Sequence, residues 1–111
     1  MEIRTRELKR VDLIELSGRV DSSTAADLEA AFDAITEQER FRIVVDMRDL
    51  EYISSRGLRA LISTVKECRR WNRGDLLLCH VPERIMHVLD LSGLTPLFKI
   101  FDNTVDAVGS L

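Results

Sequence analysis

The sequence predicts an α/β fold: a mostly parallel sheet of four to five strands with about four helices, as one domain over residues 1–111. Three observations carry this. Apolar runs of strand length alternate with segments whose apolar residues recur at helical spacing, and that alternation implies parallel strands joined by right-handed crossovers. Ile43-Val44-Val45 is a continuous β-branched run, the pattern of a strand buried on both faces. A length of 111 residues suits one domain with one core.

Each element follows in order. Met1 to Arg10 mixes charge with Ile3, Thr5 and Leu8 and reads as an edge strand. Val11 to Ser17 carries Val11, Leu13, Ile14 and Leu16 and reads as a strand that ends in a turn at Gly18. Asp21-Ser22-Ser23-Thr24 signals a helix start, with Thr24 and Asp27 at capping-box spacing. Ala25, Leu28, Phe32 and Ile35 then fall on one helical face. Phe41 to Met47 reads as the buried strand and Asp49 to Ser54 as a connection. The next helix places Leu58, Leu61, Ile62, Val65 and Cys68 or Arg69 at 3.6-residue spacing. Gly74 is placed for a left-handed cap behind it. Leu76 to Val81 is a strand, and Pro82 and Glu83 open a helix carrying Ile85, Met86, Val88 and Leu89. Leu91 to Pro96 is a turn and Leu97 to Phe101 a short strand. Asn103 and Asp106 bracket the cap of a last helix, with Val105 and Val108 as its apolar face.

Composition narrows the function. With 45% hydrophobic and 32% charged residues the chain has an ordinary globular balance. A net charge of −3 argues against nucleic-acid binding as its main business. No apolar run approaches the roughly 20 residues that span a bilayer, and the charged stretch Met1 to Glu7 lacks the apolar region of a signal peptide. A cytoplasmic protein with no membrane partner and no direct nucleic-acid partner is expected. Cys68 and Cys79 read as reduced thiols, with no close-spaced ligand pair for zinc, and His80 and His87 stand alone. The chain has no Walker loop, no Gly-rich dinucleotide fingerprint and no Gly-x-Ser-x-Gly elbow, since Ile53 stands where the elbow's first glycine would. It is expected to be no enzyme, without cofactor or metal.

The stretch from Asp49 to Leu61 organises the functional reading. Ser54 and Ser55 stand where a loop turns into a helix. There the first backbone N–H groups lack partners and the macrodipole is positive, so a phosphate would be well received. A serine in this place also serves simply as an N-cap, worth about 1 kcal/mol. Asp21 has the same two readings, as functional carboxylate or as helix-start residue. Arg56 and Arg59 oppose the dipole of the helix they open. They suit an acidic partner surface, a phosphate on Ser55, or plain solvent exposure. Arg69, Arg70 and Arg73 read as a solvated helix end.

Four pieces in register give a family resemblance: Leu16-Ser17-Gly18-Arg19-Val20-Asp21, Val44-Val45-Asp46-Met47 with the spaced Leu50, Tyr52-Ile53-Ser54-Ser55-Arg56-Gly57-Leu58-Arg59, and Leu89-Asp90-Leu91-Ser92-Gly93-Leu94. The chain resembles the STAS family, the domain of bacterial anti-sigma factor antagonists, over nearly its whole length. The family's commonest switch pattern is Asp-Ser-Ser-Gly, with the first serine phosphorylated. Matching its glycine to Gly57 puts the switch serine at Ser55, with Ser54 in place of the aspartate and Arg56 in place of the second serine. The resemblance implies partner switching. The unphosphorylated form would bind an anti-sigma factor that is itself a serine kinase, releasing a sigma factor. Phosphorylation of Ser55 would end that binding, and a serine phosphatase would reset it. Asp21, Ser22, Ser54, Ser55, Arg56, Gly57 and Arg59 are the implied partner-binding residues. The alternative is a non-switching STAS interaction module within a transport or signalling complex.

Overall fold

The structure is a computed structural model describing residues 1–111. Its elements are β1 (Glu2–Glu7), β2 (Asp12–Val20), α1 (Ala25–Thr36), β3 (Arg42–Ile53), α2 (Ser55–Arg69), β4 (Asp75–Cys79), α3 (Glu83–Leu91), β5 (Lys99–Phe101) and α4 (Thr104–Gly109), with single 3₁₀ turns at Arg70–Asn72 and Thr95–Leu97. This is the predicted order of elements. The five strands lie side by side in sequence order. β1 pairs antiparallel with β2, and every other pair is parallel.

The β-branched run earns its central position. Ile43, Val44 and Val45 are fully buried because both sheet faces are covered at β3. On one face Ile14, Leu16, Ile43, Val45, Leu76 and Leu78 pack with the apolar stripes of α1, α2 and α3. On the other, Val11, Leu13, Val44, Leu77 and Cys79 pack with Ala107 of α4. Three helices on one face and one short helix on the other leave much of β1 and one face of the outer half of β2 in solvent. β1 is a charged edge strand, which discourages strand addition.

Four local expectations change. Gly18 does not end β2; it takes φ +86° inside the strand, beside a register irregularity, and the strand continues to Val20. The stretch Asp49 to Ile53 is no connection but the second half of β3, paired in turn with Ser17 to Val20. Gly74 carries no left-handed angle; Trp71 and Asn72 do, at φ 60° and 56°. Gly74 is glycine for space, since a Cβ there would lie 2.0 Å from the Phe41 carbonyl oxygen. In α4 the buried residue is Ala107, while Val105 points into solvent. Cys68 and Cys79 are buried free thiols, and burial pushes Cys68 up to about 12 and Cys79 upward as well.

The close contact at Gly74 sets a test of the fold. Gly74→Ala must force the α2–β4 turn off the Phe41 backbone. A loss on the order of 3 kcal/mol in urea unfolding is expected, against little change for alanine at Gly109, where a Cβ meets nothing within 4 Å.

Candidate functional site

The site begins with two parallel strands that end together. Val20 pairs with Ile53, and the Ser54 N–H donates to the Val20 carbonyl at 2.7 Å. Asp21 and Ser55 therefore each stand one residue beyond a hydrogen-bonded strand pair. The chain leaves β2 through the turn Asp21–Thr24 into α1, and leaves β3 through Ser54 straight into α2.

Ser54 is the cap. Its backbone is extended, its Oγ accepts from Gly57 N–H at 3.2 Å, and its carbonyl accepts from Leu58 N–H at 2.9 Å. The capping role thus falls to Ser54 and leaves Ser55 free of it. Ser55 is the first residue of α2; it is exposed, and its Oγ makes no hydrogen bond. The N–H groups of Ser55 and Arg56 are without partners, as the first N–H groups of a helix are. The first turn of α2 contains no acidic side chain.

Gly57, expected among the partner-binding residues, lies beneath the surface that the others form. It is buried, and a Cβ would lie 2.8 Å from both Ile53 Cγ1 and Val20 Cγ1. Its lack of a side chain lets the first turn of α2 sit directly on the ends of β2 and β3. It supports the surface from beneath and does not form it.

Asp21 holds the turn before α1. Its Oδ1 accepts from Ser23 N–H at 2.9 Å, Ser23 Oγ at 2.7 Å and Thr24 N–H at 3.0 Å. These bonds, those from Ser23 first, hold the carboxyl below the usual carboxylate range. Thr24 does not form the expected capping box with Asp27. Its hydroxyl accepts from Asp21 N–H and donates to the Arg19 carbonyl, both at 2.9 Å, so it closes the turn backwards.

Arg56 joins the two helix starts. Its Nη2 donates to Glu29 Oε1 of α1 at 2.9 Å, and Nε and Nη1 reach Glu29 Oε2 and the Ser22 carbonyl at 3.5 Å. Glu29 was missed by sequence reasoning. It lies 27 residues from its partner on an exposed helix flank, and no local pattern marks such a pair. Arg59 is exposed and makes no ion pair; with Glu29, Asp33 and Ser63 it lines a shallow groove between α1 and α2. Arg19 lies over the half-exposed Tyr52 ring at 4.3 Å, walling the same end of the sheet. Asp21, Ser22, Ser54, Ser55, Arg56 and Arg59 thus share one end of the molecule. No helix is long and apolar enough to cross a membrane.

Comparisons with known proteins agree on the family. The family model of the STAS domain matches residues 2–107. BtrV of Bordetella bronchiseptica, which bears the name of an anti-sigma factor antagonist, is 35% identical over 85 residues, 77% of this chain and 72% of that one. The anti-sigma F factor antagonist of Paenibacillus polymyxa is 28% identical across 100% of this chain and 95% of its own. In three dimensions the anti-sigma factor antagonist SpoIIAA in its unphosphorylated form superposes with a TM-score of 0.81, at 20% identity, over 99% of this chain and 98% of that one. That likeness establishes the fold.

The Asp21 turn predicts a pH signature. Its depressed carboxyl stabilises the fold above the unfolded value of about 4, and this contribution is lost as pH falls through the lower folded value. Asp21→Asn is expected to melt below the native protein at pH 7, with the gap narrowing as pH falls into the acid range below the unfolded carboxyl value. A gap that persists unchanged into acid would refute this role.

Proposed function

The chain belongs to the STAS domain family, and on that premise we propose that it is an anti-sigma factor antagonist working by partner switching in the cytoplasm. The named relatives support the antagonist role. One observation carries the switch: Ser55 is an exposed hydroxyl at a helix start whose cap is supplied by its neighbour. The unphosphorylated end would engage an anti-sigma factor that is a serine kinase, through Asp21, Ser22, Ser54, Ser55, Arg56 and Arg59. A phosphoryl group passes from ATP to Ser55 Oγ, ADP leaves, and the hydroxyl proton is released. A serine phosphatase would later return the hydroxyl by hydrolysis.

The added group brings about −1.5 to −2 charge. It meets two free N–H groups and no neighbouring carboxylate on its own helix turn. The helix receives it without unfolding, while a partner packed against Ser55 must meet new bulk and a desolvated dianion. The departures at Ser54 and Arg56 favour the phosphate: the first removes a negative charge from the cap position, and the second adds a guanidinium one residue away.

Two experiments test this. The pure protein is incubated with the kinase-like anti-sigma factor of its own genome, ATP and magnesium, and read by intact mass and peptide map. One phosphoryl group on Ser55, absent in Ser55→Ala and accompanied by loss of the complex, is expected. No modification by a kinase active on another substrate would sink the switch. On the phosphorylated protein, a ³¹P titration reads the phosphate's second ionisation. It is expected to move upward in Arg56→Ala and upward in Ser54→Asp, each of which makes the surroundings of the phosphate less positive.

A further inference from the structure

The opposite end of the sheet carries a second charged surface. The β1–β2 turn, the α1–β3 loop and the α2–β4 turn stand side by side there, because β2, β3 and β4 start level: Asp12 pairs with Ile43, and Arg42 with Asp75. Between them lies a recess of about 230 Å³ lined by Lys9, Arg10, Glu39, Arg40, Phe41, Arg42 and Arg73. Two of its cations are fixed in place. Arg40 is held by Asp12 at 2.6 Å and the Leu8 carbonyl at 3.0 Å. Arg73 is held by the Glu67 carbonyl at 2.6 Å and lies over the Phe41 ring at 3.6 Å. Lys9, Arg10 and Arg42 are exposed, and their side chains make no ion pair or hydrogen bond.

Beside Arg73 stands Trp71, the chain's one tryptophan, 81% exposed. Three of the four non-glycine residues with left-handed backbone, Glu39, Trp71 and Asn72, are at this end. Such conformations are costly for residues with side chains and persist where the surroundings impose them. An aromatic held out in solvent among arginines has the composition of an interface anchor.

We propose that this end is a second docking surface, which takes an acidic protein segment: its carboxylates on Lys9, Arg10 and Arg42, and an apolar side chain against Trp71. The recess is concave, and the carboxylates of Glu39 and Glu67 stand among the cations. A protein segment complements that mixed pattern, whereas a continuous anionic membrane or a phosphate backbone meets the two carboxylates unfavourably. A single exposed aromatic provides no stacking platform for bases. A second copy would bring its acidic residues from other faces, a head-to-tail contact that builds rings or filaments and not a two-fold dimer. The net charge of −3 conceals this surface because it averages over both ends. The proposal is independent of Ser55, so the domain can be held by one end while the other switches.

Trp71 is a built-in reporter. The full chain is titrated at 150 mM salt, an ordinary ionic strength, with a dodecapeptide of Asp and Glu carrying two leucines, and tryptophan emission is followed. Saturable binding with a blue shift is expected. The double variant Arg10→Glu, Arg42→Glu should bind at least about tenfold more weakly, since each reversal replaces an attraction with a repulsion. Labelled peptide should also bind Trp71→Ala more weakly, and Arg84→Gln at the far end as the native protein does. The reversed residues have no internal partners, and matched melting curves establish that these variants fold. Absence of binding overturns the proposal, as does equal binding of the Asn/Gln version of the peptide or indifference to the reversals. Stronger binding of oligo(dT) or of vesicles with 30% phosphatidylserine also overturns it, as does self-association that the reversals abolish.

Discussion

The upper end of the molecule depends on the pairing of β2 with β3 to its last residue. Had β3 ended at Met47, as the polar stretch Arg48 to Glu51 suggests, Ser55 would hang on a seven-residue loop. The ladder instead continues through Tyr52 and Ile53 and closes with Ser54 N–H on the Val20 carbonyl. Gly57 completes the constraint, because only a residue without Cβ lets α2 start against Val20 and Ile53. β3 carries one extra residue relative to β2 at each of two places, between Asp46 and Asp49 and between Leu50 and Tyr52, and the two strands still end level at Val20 and Ile53. Two features that look local in sequence, Ser54 and Gly57, thus act jointly with this ladder to set one hydroxyl at one place.

Magnitudes show that the charges on this surface are not there for stability. The Arg56–Glu29 pair has side chains 44% and 39% exposed, and such pairs contribute about 0–1 kcal/mol. Arginine in a first helical turn costs a similar few tenths to 1 kcal/mol against the dipole. The two effects nearly cancel, and Arg59 has no ion pair to offset its cost. What the pair does is geometric: it ties the Ser22 carbonyl and α1 to the residue after Ser55. Any group that competes for the Arg56 guanidinium also acts on Glu29 and on the groove it shares with Arg59. A phosphate on Ser55 is the strongest such competitor the site can acquire, because guanidinium–phosphate bonds are charge-assisted on both sides.

The fold was legible in the sequence where hydrophobic period decides structure. The stripes of α1 and α2 and the run Ile43 to Val45 are buried as their spacing requires. The junction Ser54-Ser55 was legible because cap chemistry is local, although sequence does not say which serine caps; the bond from Gly57 N–H decides that. Glycines were misread because composition gives their freedom and not its use. Gly18 uses its φ, Gly74 uses its missing Cβ, and both look like turn signals on paper. The outer half of β3 was misread because Asp49, Glu51 and Tyr52 face solvent on a half-covered sheet, where burial no longer writes a pattern. Glu29 and the basic recess were invisible for a common reason: both assemble from residues far apart in sequence, brought together by strands that start or end level.

Whether a phosphate at Ser55 acts on the surface or on the fold is decided by what anchors α2. Leu61, Val65 and Cys68 are fully buried and Leu58 and Ala60 nearly so. Each large apolar side chain contributes roughly 1.5–3 kcal/mol on burial. A charge at the helix N-terminus acts through about 0.3–2 kcal/mol, in the stabilising direction for an anion. The anchoring exceeds the perturbation several-fold, and the perturbation does not oppose it. Under the proposed switch the helix would stay on the sheet in both states, and the switching energy would be expressed where no internal contact absorbs it, in the exposed first turn and whatever is packed against it. Because the basic recess lies beyond the other end of this same anchored layer, a ligand there meets the same rigid frame in either state. The two surfaces can then be occupied together, without either setting the affinity of the other.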